Sequence, residues 1–247
     1  MAEIKKVGVL GAGLMGHGIA QVAAQSGYDV VLREVDDATL AKGIGKIEKQ
    51  LQRAVDREKL TAEQSAEIRG RIPGTIEYED LADSDMVIEA ITEDLAMKLE
   101  MWQVVDSIVK PEAIFATNTS SLAVIDQAAT TERPGQFVGL HFFNPAQVMK
   151  LVEVIRAITT APETFDTALA WANSLGKLTV QTRDNAGFIV NRLLVPYMLD
   201  AIRAYEEGVG TIGEIDDAMK AGAGHPMGPL TLADFVGLDT PGSIRDW

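Results

Sequence analysis

Val7-Gly-Val-Leu-Gly11-Ala-Gly13-Leu-Met-Gly16 decides the fold of this chain. A short apolar run leads directly into G-x-G-x-x-G, followed by helix-patterned residues 14–25 and a second apolar run, 28–32. In a strand–turn–helix–strand setting each glycine has a task. Gly11 makes the tight turn, Gly13 lets backbone approach a pyrophosphate, and Gly16 lets the helix pack close to the strand. The second run leads into Arg33-Glu34. Glu34 stands where a carboxylate would hold the hydroxyls of an adenosine ribose and repel a 2′-phosphate, so the expected cofactor is NAD. Arg33 keeps NADP open, because a guanidinium beside that carboxylate could meet a 2′-phosphate. The plainer alternative is a glycine-rich turn with no ligand.

Further apolar runs follow at 86–89, 113–117 and 136–142, separated by longer helical patterns, with two more at 150–155 and 177–181. Strands alternating with helices predict an α/β fold, a doubly wound, Rossmann-type and mainly parallel sheet with helices on both faces. After Asp184 the texture changes. Residues 187–207 carry apolar side chains at helical spacing, with Pro196 predicting a kink. Thr211-Ile-Gly-Glu214 reads as a capping box opening another helix. The expected organisation is a dinucleotide-binding domain over residues 1–183 and a smaller all-α domain over 184–247.

A chain of 247 residues, 47% hydrophobic and 23% charged, has the composition of a soluble globular protein. It has no cysteine, which excludes thiol nucleophiles and thiolate metal sites, and no metal site is expected. A net charge of −14 argues against nucleic acid and anionic membrane surfaces as partners. Residues 1–6 run straight into the first strand pattern with no cleavage signal, and a cytoplasmic location is expected. The longest apolar stretch, 187–202, is interrupted by Asn191, Arg192, Pro196 and Asp200 and is too short and too polar to span a bilayer.

Several polar residues stand where apolar ones belong. His141 lies at the carboxyl end of the run 137–142, the edge where open α/β sheets bind ligands. A neutral imidazole there suits proton abstraction from an alcohol; a buried histidine satisfied by backbone is the alternative. Glu153 interrupts Leu151-Val-Glu-Val-Ile155 and either pairs with His141, fixing its tautomer, or faces water from an edge strand. Ser120 and Ser121 follow the 113–117 run and could bind a substrate oxygen or cap a helix. Asn191, in an apolar helix, could meet a substrate carbonyl or a neighbouring helix. His17 reads as a packing or surface residue and His225 as a loop residue.

An acidic chain that binds an anion needs a local basic patch. Lys42, Lys46, Lys49, Arg53 and Arg57 recur at intervals of three or four, within about an 80° arc of one helix. They form either a dock for a polyphosphate handle or a solvated face relieved by Glu48 and Glu58.

Together these segments resemble the 3-hydroxyacyl-CoA dehydrogenase family, from Lys6 to about Thr240. The matching stretches include Gly11 to Gln25, Val87 to Glu93, Asn118-Thr-Ser-Ser-Leu122, His141-Phe-Phe-Asn-Pro145, Met149-Lys-Leu-Val-Glu-Val154, Gly187-Phe-Ile-Val-Asn-Arg192 and Gly222-Ala-Gly-His-Pro-Met-Gly-Pro229. The resemblance implies His141 as general base with Glu153 orienting it, and Ser120 and Asn191 at the reacting oxygen. It implies Gly11, Gly13, Leu14, Met15, Gly16, Glu34, Glu93, Lys98, Ser120 and Asn144 at the NAD site. CoA would lie partly along the helix of the basic stripe, with Lys46, Lys49, Arg53 and Arg57 as substrate-binding residues. Where the family carries a serine and a lysine for CoA, this chain aligns Gln50 and Arg57. The resemblance also implies a homodimer made through the helical domain.

Family members run some tens of residues further, into a Gly-Lys-x-Gly-x-Gly-Phe-Tyr type segment. Here Pro241-Gly-Ser-Ile-Arg-Asp-Trp247 follows instead, so the helical domain is expected to be incomplete and the less stable one. The function implied is interconversion of a (3S)-3-hydroxyacyl-CoA, with 3-hydroxybutyryl-CoA foremost, and a 3-oxoacyl-CoA. Two alternatives stand beside it: a related hydroxyacid or sugar-acid dehydrogenase without CoA, and a catalytically weak NAD-binding protein.

Overall fold

The computed structural model describes residues 3–237. The expected break at Pro241 and Gly242 lies outside the described residues. By its internal contacts the chain divides into two compact units, Met1–Asp184 and Asn185–Trp247.

The first unit begins with β1 (Lys6–Leu10), α1 (Gly16–Gln25), β2 (Asp29–Arg33), α2 (Asp37–Asp56), α3 (Ala62–Gly70) and β3 (Gly74–Thr75). It continues through β4 (Met86–Glu89), α4 (Leu95–Ile108), β5 (Ile114–Thr117), α5 (Val124–Ala128) and β6 (Phe137–Phe142). It closes with β7 (Leu151–Arg156), α6 (Pro162–Ser174) and β8 (Leu178–Arg183). Among the described residues these strands form one eight-stranded sheet of order β3-β2-β1-β4-β5-β6-β7-β8. The central strands β4, β5 and β6 are buried along their whole length, because helices cover both faces of a parallel sheet. The chain winds outward from β1 to β3 and then returns to place β4 on the other side of β1. That reversal opens a crevice at the carboxyl ends of β1 and β4.

Sequence periodicity located the long strands to within a residue or two. It missed β3, whose two residues carry no alternation. It also left open the direction of β7, which runs antiparallel to β6. The register of that pair sets His141 directly opposite Glu153.

Side-chain caps account for several helix starts. Asp36 accepts from the Thr39 N–H at 2.7 Å to open α2, and Asp94 accepts from the Met97 N–H at 3.0 Å to open α4. The Trp102 ring holds α4 onto the sheet by stacking on Phe115 at 4.9 Å and meeting Phe137 edge-on at 4.8 Å.

The second unit holds α7 (Val190–Glu206), α8 (Ile212–Ala223) and α9 (Pro229–Val236). The helix expected from residue 187 starts three positions later: Gly187 and Phe188 have φ of 72° and 47°, outside the right-handed helical region. Pro196 lies inside α7. The capping box forms as expected: the Thr211 hydroxyl accepts from the Glu214 N–H, and Glu214 accepts from the Thr211 N–H at 2.8 Å. Among the described residues no helix is long and apolar enough to cross a membrane.

Candidate active site

The glycine loop is built for close backbone approach. Gly11 has φ of 94°, and a Cβ on Gly16 would lie 1.7 Å from the Gly11 carbonyl oxygen. A Cβ on Gly13 would meet nothing within 4 Å, so no neighbour in the chain requires glycine there. An open cradle at a helix start, with no side chain capping α1, fits a pyrophosphate held by backbone N–H groups. Leu14 is exposed and Met15 is the N-cap of α1. His17 helps to shape the loop: its Nδ1–H donates to the Gly13 carbonyl at 2.5 Å. Burial lowers the His17 imidazole below its ordinary value against the hydrogen bond to Gly13, and the Lys46 charge adds to the lowering.

Glu34 is buried at the end of β2. Its Oε2 accepts from the Ala12 N–H at 2.6 Å, which sets the carboxylate against the glycine loop. Arg33, expected as the group that could turn toward a 2′-phosphate, lies 3.7 Å over the Tyr78 ring, and its Nε–H donates to the Ile76 carbonyl at 3.2 Å. The guanidinium is engaged by the 76–78 segment.

His141 ends a central strand and is 4% exposed, and Glu153 is 0% exposed. Nδ1 of His141 and Oε2 of Glu153 are 2.7 Å apart. A carboxylate only accepts, so Nδ1 carries the proton and Nε2 carries the lone pair. The edge-strand alternative for Glu153 fails, because β7 lies between β6 and β8.

A second charged cluster lies at the ends of β4 and β5, and the sequence reading recognised only part of it. Lys98, 1% exposed, places its Nζ 3.0 Å from Oε2 of Glu89 and 2.6 Å from Oε2 of Glu93. Glu89 also accepts from the Thr117 hydroxyl at 2.6 Å and the Ile91 N–H at 2.7 Å. Oε1 of Glu93 accepts from the Thr119 hydroxyl, the Ser120 and Ser121 N–H groups and the Ser121 hydroxyl, at 2.5–3.1 Å. Burial pushes the Glu89 carboxyl above its ordinary value, against the pull of Lys98 and Thr117. Burial would raise Glu93 as well, but Lys98 and the hydrogen bonds bring it down to about 2.

The loop at 118–123 is fixed from three sides. Besides Glu93, Asn118 accepts from the Phe142 N–H at 2.9 Å, tying the end of β5 to the end of β6. Asp184 accepts from the N–H groups of Val124 and Ile125 at 3.0 and 2.8 Å. Ser120 therefore does not cap a helix: α5 starts at Val124, its N-cap position is Ala123, and a distant carboxylate takes its first amides. Glu89, Asn118 and Asp184 were not singled out from the sequence as site residues. Glu89 gave a weaker signal than Glu153: it closes its apolar run, whereas Glu153 interrupts one.

Asn144 is exposed in the segment after β6. Lys42, Lys46, Lys49 and Arg53 are exposed on α2, whose other face buries Leu40, Ile47 and Leu51; Arg57 follows the helix as its C-cap. Glu48, which the solvated-face alternative sets against the stripe, pairs with Arg69 of α3 at 3.0 Å. Among the described residues no stripe residue stands within ion-pair distance of a carboxylate. Asn191 lies half-buried in the first turn of α7, in the second unit.

Fold and site define a nicotinamide-dependent dehydrogenase. The models of the NAD binding domain and the C-terminal domain of 3-hydroxyacyl-CoA dehydrogenase match residues 6–185 and 187–247. The chain belongs to the 3-hydroxyacyl-CoA dehydrogenase family, and NAD is its cofactor. It is 47% identical to a 3-hydroxybutyryl-CoA dehydrogenase of Bradyrhizobium diazoefficiens, over 98% of this chain and 83% of the relative. It is also 47% identical to human mitochondrial hydroxyacyl-coenzyme A dehydrogenase, over 98% of this chain and 79% of that one. Among solved structures, (S)-3-hydroxybutyryl-CoA dehydrogenase PaaH1 from Ralstonia eutropha superimposes with a TM-score of 0.97 at 42% identity, covering 99% of this chain and 86% of that one.

Proposed function

We propose that this chain interconverts (3S)-3-hydroxybutyryl-CoA and acetoacetyl-CoA, with His141 as general base. The observation that carries the reading is the His141–Glu153 pair, a buried imidazole held in one tautomer by a buried carboxylate at the ligand edge of the sheet. The four-carbon substrate is supported by the bacterial relatives, which are named 3-hydroxybutyryl-CoA dehydrogenases.

In the oxidative direction the C3 hydroxyl gives its proton to Nε2 of His141 as the C3–H bond breaks, its hydrogen leaving with the electron pair, and the C3=O bond forms. Bound NAD supplies the hydride acceptor. Glu153 keeps the proton on Nδ1 beforehand and stabilises the imidazolium afterwards. Gly11, Gly13 and Gly16 with the first turn of α1, including Leu14 and Met15, hold the pyrophosphate, and Glu34 holds the adenosine ribose. Ser120, on its fixed loop, holds the reacting oxygen. Glu93, Lys98 and Asn144 complete the cofactor side. The stripe of Lys46, Lys49, Arg53 and Arg57 takes the CoA phosphates, which is supported by its exposure and by the lack of carboxylate partners among the described residues.

The functional chain is a homodimer formed through the helical unit. Exposed apolar side chains on the described helices of that unit support this: Leu193 is 69% and Phe235 78% exposed.

Steady-state kinetics with acetoacetyl-CoA, longer 3-oxoacyl-CoA esters and free 3-oxo acids test the reading. Turnover should be highest with acetoacetyl-CoA and NADH. Equal turnover of the free acids, or none of any substrate, would overturn it.

A further inference from the structure

Glu89, Lys98 and Glu93 put two carboxylates on one ammonium, leaving one net negative charge at the ends of β4 and β5. Each oxygen of Glu89 faces a group that can only donate, the Ile91 N–H at Oε1 and the Lys98 ammonium at Oε2, with the Thr117 hydroxyl beside them. A carboxylate set between two such donors is arranged for its ionised form.

The fold says which half of a dinucleotide lies over this charge. Glu34 ends β2, on one side of β1, where it would hold the adenosine end, and the helix start after β1 would hold the pyrophosphate. The nicotinamide half would then fall on the other side of β1, where β4 and β5 end before β6 with His141. Its nicotinamide ring is positively charged in NAD+ and neutral in NADH. A fixed negative charge in a protein interior acts on that difference and is screened little by salt.

We propose that Glu89 sets the redox preference of the cofactor site: the net negative charge of the Glu89–Lys98–Glu93 cluster favours NAD+ over NADH. This rests on the dinucleotide reading of the fold and adds to it a residue that touches neither the reacting atoms nor the ribose.

The test is binding without substrate, by NADH fluorescence titration and its displacement by NAD+. Contacts common to both forms cancel in the ratio of the two dissociation constants. Glu89→Gln should raise Kd(NAD+)/Kd(NADH) by roughly three- to tenfold, the size of effect expected of one charge at an intermediate effective dielectric. ADP-ribose, which lacks the ring, should bind Glu89→Gln as it binds wild type. Glu93→Gln, at a side chain 38% exposed and therefore easier to replace, should move the ratio the same way. The double variant Glu89→Gln/Lys98→Met restores one net negative charge and should return the ratio toward wild type, although it departs further from the native packing. A ratio unchanged in both single variants overturns the proposal, as does an equal loss of affinity for ADP-ribose. Should Glu89→Gln fail to fold, Glu93→Gln and the double variant decide. No acyl-CoA is present, so failure of the proposed substrate would leave this result untouched; a wild type that binds neither form of the cofactor would instead overturn the site assignment beneath both.

Discussion

Glu153 and Glu89 both stand in apolar strands, and both are fully buried, yet their partners differ. Glu153 faces an imidazole, a group that gains and loses a proton near neutral pH. Glu89 faces an ammonium and a hydroxyl, whose protonation does not change there. The first pair can take part in proton transfer, while the second cluster can only supply a fixed field and a rigid loop. A buried carboxylate thus marks a site, and its partner says what kind of site.

The contrast is sharpest in variants that remove the partner. His141→Ala should lower kcat by roughly 10²–10⁴-fold, the usual worth of a general base, with NADH affinity nearly unchanged. Near-normal kcat would break the distinction at its catalytic end. Lys98→Met should act on stability: leaving Glu89 buried without its counter-charge should cost about 3–5 kcal/mol in denaturant unfolding. A loss under about 1 kcal/mol would mean that the cluster is not the closed unit its geometry suggests.

Glu153→Gln should reduce kcat by roughly tenfold or more and move the acid limb of the pH–rate profile, because the imidazolium loses its stabilising charge. Unfolding between pH 4.5 and 2 probes the other cluster. Glu93 titrates at about 2 when folded against an ordinary 4.5. It therefore contributes stability above about pH 4.5 that is lost as pH falls toward 2, while Glu89, shifted the other way, is relieved when it takes up a proton. Glu93→Gln should flatten the acid-unfolding curve in that window, and an unchanged curve would contradict the assignment.

The smallest effect belongs to the stripe on α2. Replacing Lys46 and Arg53 with Gln should raise KM for acetoacetyl-CoA a few-fold, and added salt should do the same to the wild type. KM for a pantetheine thioester should stay put. Equal effects on both substrates would return the stripe to the solvent.

Much of this architecture was legible in residues 7–16 and in the alternation that follows. The long strands announce themselves because strands buried on both faces read as unbroken apolar runs. His141 and Glu153 were legible because each breaks such a run. Glu89 was overlooked because it closes its run, where a charge looks like an ordinary boundary. The support of the 118–123 loop was not legible locally at all. Asp184 reaches the start of α5 from the far end of the unit, and such a cap leaves no mark in the short-range pattern, which offered Ser120 and Ser121 either as a cap or as substrate ligands. The same holds for the second unit, where the residues at 187 and 188 delay a helix that spacing alone would start.

The reversal of β7 carries a consequence for anyone who would re-engineer the segment joining it to β6. Because β7 returns alongside β6, His141 and Glu153 meet by parity as much as by proximity. Sliding β7 by one residue would turn the glutamate to the opposite face of the sheet and bring a neighbouring apolar side chain toward the imidazole. A slide of two would keep the face but move the carboxylate out of reach of the ring. Residues 143–150 can therefore change length only if both strands keep their pairing. Insertions that bulge outward should be tolerated, whereas those relieved by slippage should abolish turnover in a protein that still folds.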